Sequence, residues 1–175
     1  GKVFYKHYRL GFHGETIKIY KFRSMKEQYC TGPEYSNRSN LDTLKKAGSN
    51  DKEIKKFNTD FKLSNDPRVT KFGRILRRFT IDELPQLLNV LRGELSFVGP
   101  RPITKEELYF YGNDRAILHH IKPGLTGLWQ ANGGNTLDYK SRVRLDIYYI
   151  RNWSISMDLK IIFKTVLRVL RGHGI

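Results

Sequence analysis

Two adjacent carboxylates, Asp82 and Glu83, are the residues of this sequence best suited to do chemistry. They fall at the predicted start of a helix, where free backbone N–H groups and the helix dipole stabilise an ionised carboxylate. Such a group can act as a nucleophile or bind a metal ion. A structural interpretation is also open, because Glu83 could close a capping box with Thr80 while Asp82 complements the dipole. Pro85 favours a functional role, since it removes a backbone donor that an ordinary surface helix would keep.

Arginines near the acidic pair could hold phosphate groups. Arg77 and Arg78 precede the pair by about one helical turn, and Arg101 lies between Pro100 and Pro102. Guanidinium groups bind phosphate oxygens through paired N–H donors, and the two prolines restrict where Arg101 can point. A basic helix face is, by itself, more often simply solvated. The arrangement therefore indicates phosphate chemistry without naming a reaction.

An N-terminal hairpin and a polar insertion are predicted to surround these residues. Two β-prone runs, 3–9 and 15–22, are separated by a glycine-containing turn, which is typical of a hairpin. From about 28 to 60 the chain becomes polar and rich in turn residues, which predicts an insertion that is partly helical. The predicted fold class is α+β: a compact, helix-rich single domain, residues 1–175, with a small hairpin.

Helices should supply the rest of the domain. The Asn65-Asp66-Pro67 stretch is typical of a helix start, with a cap followed by proline. A second helix should begin at Thr80, carry an apolar stripe of leucines and end at Gly93, and a third should lie near 104–120. The segment 122–127 is rich in turn residues and reads as a loop.

The predicted C-terminal helix, residues 158–171, is amphipathic and basic. Lys160, Lys164, Arg168 and Arg171 line one of its sides. Such a helix can lie on an anionic bilayer with its apolar side in the headgroup region. A core-packed helix with a solvated basic face would show the same pattern. No stretch of the sequence has the eighteen or so apolar residues that a spanning helix needs.

Composition limits the class of protein further. The chain has 175 residues, with 32 Lys and Arg against 17 Asp and Glu, a formal net charge of +15. The length fits one domain, and the charge points to an anionic partner such as nucleic acid, a phosphorylated substrate or a lipid surface. A nucleic-acid binder is disfavoured, because the sequence has no reader motif and no stacking array of aromatic and basic residues. A single cysteine, Cys30, excludes an internal disulfide and fits a reducing compartment.

Six longer motifs follow one another in a fixed order. They are residues 19–25 (IYKFRSM), 66–73 (DPRVTKFG), 82–87 (DELPQL), 89–96 (NVLRGELS), 98–102 (VGPRP) and 123–130 (PGLTGLWQ). Together they resemble the bacterial sugar transferase family, the monotopic polyprenyl-phosphate phosphoglycosyl transferases, over nearly the whole chain. The insertion, which ends in residues 57–63, is similar to that of longer members that transfer a galactose or glucose 1-phosphate.

The resemblance implies a two-step transfer at the cytoplasmic face of the inner membrane. Asp82 would attack the sugar-bearing phosphorus of a UDP-sugar and expel UMP, and undecaprenyl phosphate would then take the phosphosugar from the covalent intermediate. Glu83 would bind Mg²⁺, a hard cation that prefers oxygen ligands. The product would start a capsule, exopolysaccharide or O-antigen unit. The resemblance also implies phosphate-binding roles for Arg77, Arg101, Lys21, Arg23 and Gln86.

Two features depart from the family pattern. Gly134 stands where many members have an arginine that helps to bind the nucleotide, so a catalytically impaired membrane scaffold is an alternative to an active enzyme. The family's membrane-inserted N-terminal helix has no counterpart in the sequence, which begins like the middle of a strand. Contact with an anionic membrane surface is therefore expected from the amphipathic helices and from the family.

Overall fold

The chain begins with an antiparallel hairpin, as predicted. The computed structural model describes residues 1–35, 38–61, 63, 65–172 and 174. Strand β1 (Phe4–Leu10) pairs with β2 (Thr16–Phe22), and Leu10 lies opposite Thr16 beside the turn. A single 3₁₀ turn, Phe12–Gly14, connects the strands. Its residues His13 and Gly14 have positive φ angles, which reverses the chain within a few residues.

The polar insertion is partly helical, as its composition predicted. It contains α1 (Asn40–Lys46) and α2 (Asp51–Asp60), while its Ser36 and Asn37 lie outside the described residues. A capping box between Asn50 and Glu53 starts α2. A small apolar cluster of Leu44, Phe57 and Leu63 packs the two helices together. The insertion thus has a core of its own.

Helix α3 (Lys71–Arg78) begins later than the sequence pattern predicted. The side chain of Thr70 accepts a hydrogen bond from the Gly73 N–H at 2.8 Å and caps the helix. The predicted cap at Asn65-Asp66-Pro67 is wrong, because the Asp66 carboxylate binds the backbone and guanidinium of Arg68 instead. The charged guanidinium is a stronger hydrogen-bond donor to a carboxylate than the neutral N–H groups at a helix start.

The predicted helix from Thr80 is present, but it is not a continuous α-helix and the Thr80 side chain does not cap it. Residues Ile81–Gln86 form a 3₁₀ helix, and a short α4 (Leu87–Leu91) follows it. Pro85 explains this, because it has no N–H to donate to the Ile81 carbonyl and its ring would clash with that carbonyl in an α-helix. Thr80 has a left-handed conformation with φ of 57° and makes no capping hydrogen bond. The predicted apolar stripe is exposed and consists of Leu84, Leu87, Leu88 and Leu91.

A two-stranded parallel sheet forms where the sequence predicted no strands, and one of its strands lies in the predicted loop 122–127. Strand β3 (Ser96–Val98) pairs with β4 (Gly124–Thr126). The backbones approach so closely that a Cβ atom on Gly124 would lie 2.1 Å from the Gly99 nitrogen. Between the strands, the predicted helix near 104–120 is present as a 3₁₀ segment, Glu107–His120, that is interrupted at Gly112.

Three helices complete the domain: α5 (Leu128–Asn132), α6 (Tyr139–Arg151) and α7 (Ile155–Leu170). Helix α7 confirms the predicted C-terminal helix, and the mixture of helices with a small hairpin confirms the α+β class. Two apolar clusters hold these elements together. They consist of Val98, Ala131, Tyr149 and Ile161, and of Ile103, Tyr111, Tyr139 and Val143. In the described part of the chain, no helix has the length and apolar character needed to cross a bilayer.

Candidate active site

A large cavity of about 1190 Å³ lies over the inner face of the hairpin. Successive side chains of a strand point to opposite faces, so alternate residues of β1 and β2 line one surface of the cavity. These residues are Tyr5, His7, Arg9, Ile19 and Lys21, and Arg23 lines the cavity just after β2. The opposite surfaces come from the insertion, from the 3₁₀ helix Ile81–Gln86 and from helices α5 and α6.

Asp82 and Glu83 line this cavity from the 3₁₀ helix, which packs against β2. Their side chains are nearly buried, with residue exposures of 8% and 7%. Glu83 Oε1 forms an ion pair with Lys21 Nζ, and it lies 3.7 Å from a guanidinium nitrogen of Arg101. The tertiary structure thus joins three motifs that are far apart in the sequence.

Burial and neighbouring charges together shift several pKa values in the cavity. Burial lowers the pKa of Lys21, although the charge of Glu83 acts in the opposite direction. Burial opposes the charge of Arg101, but the carboxylates of Glu83 and Glu107 outweigh it and raise the pKa. Burial and the nearby cations Arg9, Lys21 and Arg101 lower the pKa of His7 to about 3. The lining cations Arg9, Lys21 and Arg101 suit an anionic ligand.

The other predicted phosphate-binding residues differ in their positions. Arg77 lines the cavity, and its Nε donates to Ser24 Oγ at 2.9 Å. Arg23 also lines it, while its Nε donates to the Lys2 carbonyl at 2.6 Å. Gln86 is buried and is not among the described residues that line the cavity. Its phosphate-binding role stays a prediction, as do the roles of the two arginines.

Arg9 and Glu107 form a second ion pair in the cavity that the sequence did not predict. Arg9 contacts Glu107 Oε2, which also accepts the Thr104 N–H at 2.7 Å. Burial would raise the pKa of Glu107, but Arg9 and the Thr104 N–H lower it below its usual value. Alternation along β1 could have indicated Arg9, because it occupies the same face as His7. No local pattern indicates its partner 98 residues away.

Asp146 is a further buried acid that lines the cavity. Its Oδ2 accepts a hydrogen bond from the Tyr111 hydroxyl at 2.8 Å. Burial raises the pKa of Asp146 to about 7, although the Tyr111 hydrogen bond and Arg101 favour the charged form. The carboxyl group is therefore partly protonated near neutral pH, unlike an exposed aspartate.

Gly134 adopts a left-handed conformation with φ of 55°. A Cβ atom there would lie 2.8 Å from a guanidinium nitrogen of Arg168, a residue of α7. That nitrogen donates to the carbonyl oxygens of Gly133 and Gly174 at 3.3 and 3.2 Å. The space beside Gly134 is therefore occupied by a guanidinium group from another part of the chain.

The donor set of the cavity fits Mg²⁺. Within the described residues there is no cluster of three His, Cys, Asp or Glu side chains that could enclose a metal ion. Mg²⁺ usually needs less protein than this, because one or two carboxylates hold it together with substrate phosphates and water. The adjacent, nearly buried carboxylates Asp82 and Glu83 match that requirement.

Comparison with known proteins identifies the family. Residues 1–172 match the family model of the bacterial sugar transferases. The chain belongs to the bacterial sugar transferase family. The predicted family is therefore confirmed, and with it the predicted class of enzyme, a phosphoglycosyl transferase.

Relatives of this sugar transferase come from several bacteria. The exopolysaccharide production protein ExoY of Sinorhizobium fredii is 43% identical over 99% of the chain, which covers 73% of that protein. The undecaprenyl-phosphate galactose phosphotransferase of Salmonella typhimurium is 44% identical over 99% of the chain and 34% of its own length. The UDP-glucose:undecaprenyl-phosphate glucose-1-phosphate transferase of Escherichia coli is 40% identical over 96% of the chain and 32% of its length. The chain thus spans about a third of the latter two proteins.

Proposed function

We propose that the chain transfers a hexose 1-phosphate from a UDP-sugar to undecaprenyl phosphate and releases UMP. The observation that carries this proposal is the burial of Asp82 and Glu83 in a cavity whose cations include Lys21 and Arg101. The names of the Salmonella and Escherichia relatives support galactose or glucose as the sugar. The product would start an exopolysaccharide, capsule or O-antigen unit at the cytoplasmic face of the inner membrane.

In the first step, a carboxylate oxygen of Asp82 attacks the sugar-bearing phosphorus of the UDP-sugar. The bond from this phosphorus to the bridging oxygen of the diphosphate breaks, and UMP leaves with the bonding electrons. Lys21 and Arg101 stabilise the negative charge that spreads over the phosphoryl oxygens, because phosphoryl transfer depends mainly on positioning and charge. An acyl phosphate that carries the sugar remains on Asp82.

In the second step, a phosphate oxygen of undecaprenyl phosphate attacks the same phosphorus. The acyl phosphate bond breaks, Asp82 regains its carboxylate, and the lipid carries a diphosphate-linked sugar. Arg77 of α3, held by Ser24 at 2.9 Å, and Arg23, which follows β2, are cations that can receive the second phosphate. A covalent intermediate of this kind predicts ping-pong kinetics.

Glu83 would hold Mg²⁺ in this reaction. When bound, the ion would supply positive charge that offsets the charge of the substrate diphosphate. The ion pair with Lys21 keeps the Glu83 carboxylate at the cavity surface before substrate binds. The chain's own cations and the bound ion would thus share the neutralisation of a highly charged substrate.

Exposed apolar side chains support a membrane-bound acceptor. Helix α7 exposes a stripe along one side, and α3, α4 and β3 expose others. The exposed residues include Phe72, Ile75, Leu91, Phe97, Ile155, Leu159, Phe163, Val166 and Leu170. A stripe of large exposed apolar side chains along one helix is typical of an interaction or membrane-contact surface. An amphipathic surface with basic residues suits the headgroup region of an anionic bilayer.

UMP release tests the proposed reaction. The full-length protein in detergent is supplied with Mg²⁺, undecaprenyl phosphate and either UDP-galactose or UDP-glucose. We expect the wild type to release UMP and Asp82→Asn to release at least a thousandfold less, because the nucleophile is lost. Asp114→Asn, which alters an exposed ion pair with Arg151, is the matched control and should retain activity.

Without acceptor, intact-protein mass should rise by one hexose phosphate in the wild type alone. Equal activity of Asp82→Asn would overturn the mechanism.

A further inference from the structure

Helix α2 of the insertion forms one wall of the cavity. Its C-terminal half and the C-cap residue supply lining residues of mixed character, which are Lys56, Phe57, Asn58, Asp60 and Phe61. The hairpin and the residue after it line the cavity with the cations Arg9, Lys21 and Arg23 and with no carboxylate. The α2 lining instead combines a cation with carboxylate and amide oxygens, so it offers different chemistry to a ligand.

The start of this wall is fixed by the buried side chain of Arg68. Two guanidinium nitrogens bind Asp66, and a third donates to Asn40 Oδ1 and Thr43 Oγ1 of α1, each at 3.1 Å. The guanidinium also lies 5.3 Å from the ring centre of Phe57 in α2. Arg68 is only 2% exposed, so these bonds are shielded from water. Both helices of the insertion are thus bound to one residue of the main domain.

The end of the wall is fixed by aromatic packing. Phe61 ends α2 with a left-handed backbone, φ 54°, and turns its ring into the main domain. Its ring centre lies 5.7 Å from that of Phe110 and 5.6 Å from that of Tyr139. Asn58 and Asp60, which lie between the two anchors, therefore have defined positions on the cavity surface.

The chemistry of this wall suits hydroxyl groups. A carboxylate such as Asp60 repels phosphate, whereas carboxylate and amide oxygens accept hydrogen bonds from hydroxyls. Burial lowers the pKa of Arg142 while the charge of Asp60 acts in the opposite direction, so the two groups are near each other. The Arg142 guanidinium also lies over the Trp129 ring at 5.1 Å. The neutral, hydroxyl-rich part of the donor is the part that fits here.

We propose that Asn58 and Asp60 bind hydroxyl groups of the transferred hexose and determine which hexose is accepted. The proposal rests on the proposed function and adds the location of sugar selection within the cavity. A site that donates and accepts hydrogen bonds distinguishes substrates by their hydroxyls strongly, because a mismatched sugar leaves polar groups without partners.

Donor selectivity and nucleotide affinity together test this proposal. UMP release by the full-length protein is measured with UDP-glucose, UDP-galactose and UDP-N-acetylglucosamine, and affinity for UDP alone is measured by calorimetry. The variants are Asn58→Ala, Asp60→Ala and Asp60→Asn, with Thr59→Ala on the same helix as matched control, since Thr59 is exposed and does not line the cavity. Melting temperatures verify that every variant is folded.

We expect Asn58→Ala and Asp60→Ala to reduce the ratio of kcat/KM between the preferred and the second donor by at least tenfold. Affinity for UDP should stay within twofold of the wild type, and Thr59→Ala should change neither quantity. Asp60→Asn should retain part of the selectivity, because its amide oxygen still accepts a hydrogen bond.

An unchanged donor ratio in the alanine variants would overturn the proposal. A tenfold loss of affinity for UDP in the alanine variants would also overturn it, because it would show that these residues bind the nucleotide. Failure of the wild type with every donor would instead contradict the proposed function.

Discussion

At the scale of single residues, burial in the cavity shifts the pKa values of titratable side chains. His7 and Asp146 both line it, and burial moves their pKa values in opposite directions, to about 3 and about 7. Burial always disfavours the charged form, which is the protonated form for histidine and the deprotonated form for aspartate. Both groups are therefore held closer to neutrality than they would be in water.

Replacing Asp146 should change how stability depends on pH. The folded protein binds a proton at Asp146 up to about pH 7, whereas the unfolded chain releases it near its usual pKa of about 4. This group's contribution to the free energy of unfolding is complete below about pH 4 and is lost as pH rises through 7. Relative to the wild type, Asp146→Asn should therefore gain stability between pH 4 and 8, by about 4 kcal/mol at most. Urea unfolding at a series of pH values measures the difference.

His7→Gln provides a control of opposite sign. The folded pKa of His7, about 3, lies below the unfolded value of about 6.5, so the wild type loses stability as pH falls through this range. Relative to the wild type, His7→Gln should become more stable as pH falls, whereas Asp146→Asn should become more stable as pH rises. A difference from the wild type that is constant with pH would contradict the assigned burial of either group.

At the scale of secondary-structure elements, the insertion depends on one buried ion pair. Arg68 and Asp66 bind each other at 2.7 Å, and Arg68 extends this contact to α1 and α2. A charge pair that is buried and fully hydrogen-bonded contributes little by its mere presence, but removal of one partner leaves the other charge buried. The position of the insertion should thus be sensitive to this pair.

We expect Arg68→Met to lower the free energy of unfolding by roughly 3 kcal/mol, because Asp66 would remain buried without its guanidinium partner. Arg151→Met removes an ion pair of similar length, 2.6 Å to Asp114, but this pair is exposed and should contribute less than about 1 kcal/mol. Chemical denaturation of the wild type and of both variants measures these changes in the free energy of unfolding. Equal losses in the two variants would show that the insertion does not depend on Arg68.

On the scale of the whole molecule, apolar surface and positive charge occur together. Helix α7 buries only Ile161 fully, and it exposes a stripe that includes Leu159 and Phe163. The sequence left open whether this helix packs into the core or lies on a membrane. The exposed stripe argues against the core-packed alternative, and membrane contact stays a prediction.

Two acidic substitutions in this stripe, Leu159→Glu and Phe163→Glu, should each weaken binding of the 175-residue chain to vesicles that contain anionic lipid. Phe163 is 65% exposed, so the change should leave the core intact. Loss of apolar burial of about 1.5 kcal/mol or more predicts at least a tenfold weaker partition for each variant. Vesicle co-sedimentation measures it. Thr59→Glu adds the same charge on α2 and should bind nearly as the wild type does; a similar loss there would assign the effect to net charge alone.

The sequence by itself determined the features that depend on local patterns. Alternation and turn residues predicted the hairpin, polar composition predicted the insertion, and helical periodicity predicted α7. The motifs also indicated Asp82, Glu83, Lys21 and Arg101, which the fold brings to one cavity. These predictions succeeded because backbone preference and side-chain periodicity act over a few residues.

Only the tertiary structure decided the contacts that join distant segments. Arg9 meets Glu107 across 98 residues, Tyr111 meets Asp146 across 35, and β3 pairs with β4 through an approach that Gly99 and Gly124 permit. Asp66, predicted to cap a helix, instead binds Arg68, because an ion pair formed within the packed chain outweighs a local cap. Such contacts, and the pKa values that follow from burial, depend on which surfaces pack together, and short-range sequence patterns do not encode that information.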